Sequence, residues 1–274
     1  MEKSRLPEIF PSGKPVIGMV HLKPLPGSPQ YDSIKGMSWI IDCAVSEAMA
    51  LEKGGISGIQ IENQFDRPFL KPADIGPETV AAVTAAAAAI KKSVSIPIGI
   101  NIHLNGVHQA LAVAQAVGAD WIRAFELANT YISNSGIIEA AGPSALRYRA
   151  FLHAQDVMIF GDFHVKHGSH SVIADRTLEE QAEDVAESGA EVLIITGTKT
   201  GSAPTKEEIM QIKRKIQQPV FIGSGFTLDN ADALMPILDG AIVGTYLKHE
   251  GKIENTVDTD RVKNLMEKIR SISE

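Results

Sequence analysis

The chain has 274 residues, 44% hydrophobic and 22% charged, with 23 glycines, 14 prolines and a mean hydropathy of +0.02. That profile belongs to a folded globular protein and excludes a disordered, collagenous or coiled-coil chain. A formal charge of −7 and a pI near 5.6 argue against nucleic acid as a partner, and the single Cys43 with an opening stretch that lacks a signal-peptide core leads us to expect a reducing, cytoplasmic setting.

Short β-branched or apolar runs recur at 15–22, 58–62, 97–103, 119–125, 157–165, 191–196, 219–223 and 240–244. Apolar residues at three- and four-residue spacing predict helices at 39–52, 77–91, 107–117, 144–153, 178–187, 206–216, 228–234 and 261–272. The low-polarity run at 80–90 is about half of the ~20 residues a membrane span needs and reads as a buried Ala-rich helix. Glycines at 54–55, 118 and 189 fall just past a helix and before a strand, where a left-handed cap is wanted. Thr205, followed by Glu207 and Glu208, marks a helix start, and the run Thr-Leu-Asp-Asn at 227–230 marks another. Eight strands alternating with eight helices, in units of roughly 34 residues, predict a single (β/α)8 TIM barrel of the phosphate-binding type over 1–274. An open doubly wound sheet is the alternative, because periodicity does not show that the last strand pairs with the first.

In such a barrel the loops after the strands build the active face, so polar residues at the C-terminal strand ends are the candidates. The first strand ends in His21, the second in Glu62 and Asn63, the third in Asn101 and His103, and the fourth in Arg123 and Glu126. Glu62 and Glu126 are the acidic candidates there, although a carboxylate beside Arg123 is also what a plain ion pair needs. On the fifth strand, alternation places Asp162, His164 and Lys166 on one face. Three ionisable groups on one strand face are costly to bury without a task or partners. Asp162 and His164 suit acid/base roles, and Lys166 suits a phosphate or carbonyl ligand or a Schiff-base nucleophile. A satisfied polar network would use the same residues.

After the seventh and eighth strands stand Gly223, Ser224 and Gly225, then Gly244 and Thr245. Phosphate-binding barrels place the phosphate here, where glycine lets backbone N–H groups approach the oxygens and a helix N-terminus adds positive potential. The run Thr-Gly-Thr-Lys-Thr-Gly at 196–201 suits a mobile loop closing over an anionic ligand, with Thr196 and Gly197 at its base. His164, His167 and His170 with Asp162 raise a metal reading, but the chain has neither an HExxH helix nor a His-x-His at the first strand, so no cofactor is expected and metal ligands stay unassigned.

These motifs resemble the BtpA family, also called the BtpA/SgcQ family. The matching segments are Pro-Val-Ile-Gly-Met-Val-His-Leu at 15–22 and Pro-Leu-Pro-Gly-Ser-Pro at 24–29. Others are Glu62 and Asn63 with Asp66, Leu-Arg-Tyr-Arg at 146–149, Asp162 with His-Val-Lys-His at 164–167, Gly-Ser-Gly at 223–225, and Val-Gly-Thr at 243–245. The chain departs from the family pattern after the third strand, at Leu104, Asn105 and Gly106, and after the fourth, at Leu127, Ala128 and Asn129. The resemblance implies a barrel related to phosphate-binding enzymes. The family name comes from accumulation of photosystem I reaction-centre proteins in cyanobacteria, other members lie beside sugar-uptake genes, and no reaction is attached to the family.

Together these readings lead us to expect an enzyme that acts on a small phosphorylated metabolite such as a sugar phosphate, through aldol, isomerase or lyase-type chemistry. His21, Glu62, Asp162, His164 and Lys166 would surround the reacting end. The alternatives are a non-catalytic assembly factor and a phosphate-ligand sensor. A homo-oligomer paired through the outer helices is a general expectation for barrels.

Overall fold

The computed structural model describes residues 5–197 and 203–273. Eight parallel strands close into a barrel in chain order. They are β1 (Val16–His21), β2 (Gly58–Glu62), β3 (Ile98–Asn101), β4 (Trp121–Ala124), β7 (Met158–Phe163), β8 (Val192–Ile195), β9 (Val220–Ile222) and β10 (Gly240–Val243). Val16 of β1 lies opposite Ala241 of β10, which closes the sheet and excludes the open doubly wound alternative. The outer layer comprises α2 (Gly36–Lys53), α3 (Pro77–Ser93), α4 (Val107–Val117), α5 (Gly142–Phe151), α6 (Leu178–Glu187), α7 (Lys206–Lys213), α8 (Ala231–Leu234) and α9 (Thr259–Ser273).

Every barrel-strand residue is buried, as expected where helices cover the outer face and side chains fill the inner one. Outward residues such as Val16, Val20, Ile59 and Ile61 pack with the helices. The inner ones, Ile17, Met19, Trp121, Met158, Phe160, Val192, Ile194, Phe221 and Ile242, form a separate cluster. Within it Trp121 stacks on Phe160 (5.4 Å, 14°) and donates through Nε1 to Gln60 Oε1 (2.6 Å). A short helix, α1 (Leu6–Ile9), carries Leu6 and Phe10 into the same cluster and closes the N-terminal end of the barrel, with Phe10 5.7 Å from Trp121.

Two features differ from the expected elements. A hairpin, β5 (Thr130–Ser133) and β6 (Gly136–Glu139), stands between β4 and α5. With Tyr131 and Ile138 it joins Leu104, Phe125, Val165 and Phe69 in an apolar cap over one side of the C-terminal mouth. The helix expected at 228–234 shrinks to the single turn α8. Thr227 and Asn230 instead close a side-chain turn, in which Asn230 Oδ1 accepts from Thr227 N (2.9 Å) and its Nδ2 donates to Gly225 O (2.8 Å). The Thr205 start holds, as a reciprocal cap with Glu208.

Gly99 lies against the Trp121 indole, and an added Cβ would sit 2.1 Å from Trp121 Nε1. Because that ring is held by Phe160 and Gln60, Gly99→Ala should destabilise the fold by about 1–3 kcal/mol in urea titration, with loss of the buried-tryptophan fluorescence signature.

Candidate active site

Counting on by two from each inner residue reaches His21, Glu62, Asn101, Arg123, Asp162, Thr196, Gly223 and Gly244 at the C-terminal end of the barrel. The interior is therefore apolar below and polar at its mouth. Asp162 is fully buried and receives both Nε and Nη2 of Arg123 at 2.7 Å, a bidentate pair. Gly223 makes room for it, since a Cβ there would lie 2.9 Å from Arg123 Nη2. Burial works to lower Arg123 and raise Asp162, while attraction does the reverse. At Asp162 burial prevails and raises the carboxyl, while at Arg123 attraction prevails; the bidentate contact at 2.7 Å to a guanidinium that keeps its proton is what supports an ion pair there.

Glu62 accepts from Asn101 Nδ2 (2.6 Å), and its other oxygen lies 3.0 Å from His103 Nε2. His103 is held between Phe69 (4.2 Å, 13°) and Phe125 (4.9 Å, 31°). Burial alone would raise the Glu62 carboxyl, but the contact with His103, and further off the Arg123 charge, hold it well below the usual carboxylate range. Burial lowers His21 to about 3, against the pull of Glu62, so its imidazole is neutral. Five buried polar atoms here lack a partner among the described residues: His21 Nδ1, Asn101 Oδ1, His103 Nδ1, Thr196 Oγ1 and the Tyr131 hydroxyl.

Lys166 reaches across to donate to Ser224 Oγ (2.8 Å), and burial together with Arg123 lowers its amine. Ser224 stands between Gly223 and Gly225 (φ +77°), and Gly244 faces His21, all partly open to solvent. Thr245 is exposed at the start of a 3-10 turn. The expected loop at 196–201 has only Thr196 and Gly197 inside the described residues. The helix-dipole contribution expected after β9 is reduced, because α8 is one turn long.

His164 does not share the face of Asp162 and Lys166. The strand ends at Phe163, and His164 takes φ +52°, which breaks the alternation. Its ring stacks on His170 (4.2 Å) and its Nδ1 lies 3.1 Å from Gln181 Oε1 of α6. The mouth thus gathers His21, Glu62, Asp162 and Lys166 and leaves His164 at its edge. Among the described residues no group of three or more His, Cys, Asp or Glu is placed to hold a metal ion. No helix among them is long and apolar enough to cross a membrane.

A model of the BtpA family matches residues 12–271. The chain belongs to the BtpA family. It is 41% identical over 253 residues to an uncharacterized protein of Archaeoglobus fulgidus, covering 92% of this chain and 97% of that one. It is 37% identical over 262 residues to the photosystem I biogenesis protein BtpA of Synechocystis, covering 95% and 89%. Among solved structures, tryptophan synthase from Mycobacterium tuberculosis matches with a TM-score of 0.65 at 17% identity, covering 98% of this chain and 99% of that chain. Phosphoribosyl anthranilate isomerase from Thermus thermophilus matches at 0.57 and 10% identity, covering 94% and 99%. At those identities the likeness establishes the barrel fold alone.

In this BtpA-family barrel Asn101, His103, Arg123 and Glu126, which the sequence marks as strand-end candidates without a role, stand at the mouth, and Tyr131 joins them without having been marked. Asn101 and Arg123 were within reach of the period-two count, and Asn134 and Gly136 between alternating runs are a hairpin signal for Tyr131. Arg123 pairs with Asp162 and not with its near neighbour Glu126, whose carboxyl has no hydrogen bond or ion pair among the described residues. Burial, and then the charge of Asp162, push Glu126 up to about 9.

Between about pH 4.5 and pH 9 an unfolded chain has released the Glu126 proton while the folded one keeps it, so this group lowers stability as pH rises. Glu126→Gln removes that dependence. Its unfolding free energy relative to wild type should climb by up to about 1.4 kcal/mol per pH unit in urea titrations across this window. A difference that stays constant with pH would mean that Glu126 is ionised in the fold.

Proposed function

We propose that this BtpA-family protein is an enzyme that binds a small phosphorylated metabolite in the barrel mouth and acts on it by aldol, isomerase or lyase-type chemistry. The observation that carries the reading is the Lys166 to Ser224 hydrogen bond beside Gly223, Gly225 and Gly244. It puts a cation, a hydroxyl and side-chain-free backbone together at the seventh and eighth strand ends, which is what a phosphate dianion needs. Lys166, Ser224, Gly223, Gly225, Gly244 and Thr245 would hold the phosphate, with Thr196 and Gly197 at the edge. His21, Glu62 and Asp162 would face the rest of the substrate. Their firmly held protonation states suit orientation and charge stabilisation more than proton shuttling. The names of the structural neighbours, among them a phosphoribosyl anthranilate isomerase and a thiamine phosphate pyrophosphorylase, lend the phosphate assignment support by analogy.

A second reading, a non-catalytic assembly factor, draws on the name of the Synechocystis relative and on Ile132 and Ile137, which lie opposite each other on the hairpin and are exposed beside the mouth. A thermal-shift panel of phosphorylated sugars and inorganic phosphate separates the two. A ligand at 100 times its Kd should stabilise the wild type by about 2.7 kcal/mol. Ser224→Asp and Lys166→Ala should abolish or weaken that stabilisation. If no phosphorylated compound stabilises the wild type, the phosphate reading falls and the assembly reading gains.

A further inference from the structure

We propose that Glu126 is the proton donor of the barrel mouth, delivering its acid proton to a substrate oxygen on the side of the pocket covered by the hairpin, with the Tyr131 hydroxyl as a second donor there. This rests on the phosphorylated-substrate reading and names the residue that would carry its acid step.

Four carboxyl side chains are buried in the described fold: Glu47, Glu62, Glu126 and Asp162. Three have partners. Glu47 is bonded to Lys248 (2.6 Å), Glu62 to Asn101 and His103, and Asp162 to Arg123. Glu126 alone among them has none within the described residues. A carboxyl buried for structural reasons is ordinarily paired, because the unpaired charge is expensive to desolvate. Glu126 avoids that expense by remaining neutral, as burial and the nearby Asp162 charge dictate. A neutral carboxyl is an O–H donor in search of an acceptor.

The rest of the surroundings are built to hold that donor in place. The Asn105 side chain clamps the Glu126 backbone, accepting from its N–H (3.0 Å) and donating to its carbonyl (3.0 Å), and Ala141 N donates to the same carbonyl (3.1 Å). Phe125, its chain neighbour, packs with Val165, Leu104 and Tyr131 in the apolar cap on that side of the mouth. Tyr131 lies within the field of both Glu126 and Asp162, and its hydroxyl is buried without a partner among the described residues. The arrangement therefore offers two unsatisfied O–H donors after β4, while Lys166 rises from the adjacent β7 and reaches away from them to Ser224 after β9. A substrate whose phosphate sits at Ser224 would present its carbonyl or hydroxyl oxygen to Glu126 and Tyr131.

The step transfers one proton from Glu126 to the substrate oxygen. As the C–H bond on the carbon next to the carbonyl breaks, a water molecule takes the proton, the C–H electron pair becomes the C=C bond of an enol, and the C=O π pair forms a new O–H bond to the Glu126 proton; reversal of the step returns a solvent proton or deuteron to the carbon. Glu126 is left as a carboxylate, and solvent protonates it again before the next turnover. The proton lost on the carbon side passes to solvent.

Ketose phosphates of three, five and six carbons in D2O provide the test, with NMR following solvent deuterium into the carbon next to the carbonyl. Wild type should catalyse exchange on at least one of them, and the rate should fall above about pH 9, where Glu126 ionises. Glu126→Gln should lose about 10²–10⁴-fold in exchange. The same variant should keep the thermal shift given by that ketose phosphate. Glu126→Asp, which retains the acid, should recover part of the rate and guards against a folding failure of the amide variant. Exchange in Glu126→Gln equal to wild type, or a wild-type profile that stays flat through about pH 10, overturns the assignment of Glu126 and leaves phosphate binding intact. A wild type that neither binds nor exchanges any of the probes overturns both.

Discussion

The buried ion pair of Arg123 and Asp162 is the constraint around which the barrel mouth is arranged. Two charges taken out of water are tolerable only if each meets the other in good geometry, and the bidentate contact at 2.7 Å supplies that. The pair then dictates its neighbours. It requires glycine at 223, where any side chain would collide with the guanidinium. Its positive member helps to depress the Lys166 amine, and its negative member helps to keep the Glu126 carboxyl neutral. Burial is the larger cause at both groups, and the ion pair adds to it in opposite directions, so a carboxyl held neutral and an amine held low follow adjacent strands of one mouth.

This polar layer rests on an apolar one. Trp121, Phe160 and Phe221 form a continuous aromatic contact inside the barrel, and α1 seals the far end with Leu6 and Phe10. The interior is therefore a packed floor and no channel, so a ligand can enter only from the C-terminal face. On that face the hairpin of Tyr131 and Ile138 adds a roof over the β3 to β7 side, while the glycine loops after β9 and β10 stay partly open. The roofed side favours strong electrostatics through exclusion of water, and the open side favours exchange of a charged ligand.

Gly223 shows how one residue answers two demands. The sequence motif reads as a phosphate loop, and in the structure the missing side chain also houses Arg123. Gly244, facing His21, repeats the pattern less tightly. A glycine at a strand end of this barrel is therefore not by itself a sign of phosphate; the Lys166 to Ser224 bond is the separate observation on which the phosphate proposal rests. The fold, shared with barrels of under 20% identity, leaves that question to the individual residues.

Periodicity alone determined the order of strands and helices, because burial on both faces of a parallel strand and on one face of a helix imposes repeats that short windows reveal. It also determined that His21, Glu62, Asn101, Arg123 and Asp162 end strands, and hence that they gather at one end of the barrel. Tertiary structure decided the rest. Which carboxylate Arg123 takes depends on the angular separation of strands around a closed barrel, so the sequence neighbour Glu126 loses to Asp162, which is 39 residues away. His164 leaves the row because a left-handed backbone at the end of β7 overrides alternation, something no side-chain pattern encodes. The hairpin at 130–139 covers the mouth only because Phe69, Leu104, Phe125 and Val165 come from four other segments to meet it. Local sequence sets which way a side chain points along its own element; what it meets there is fixed by residues far away in the chain.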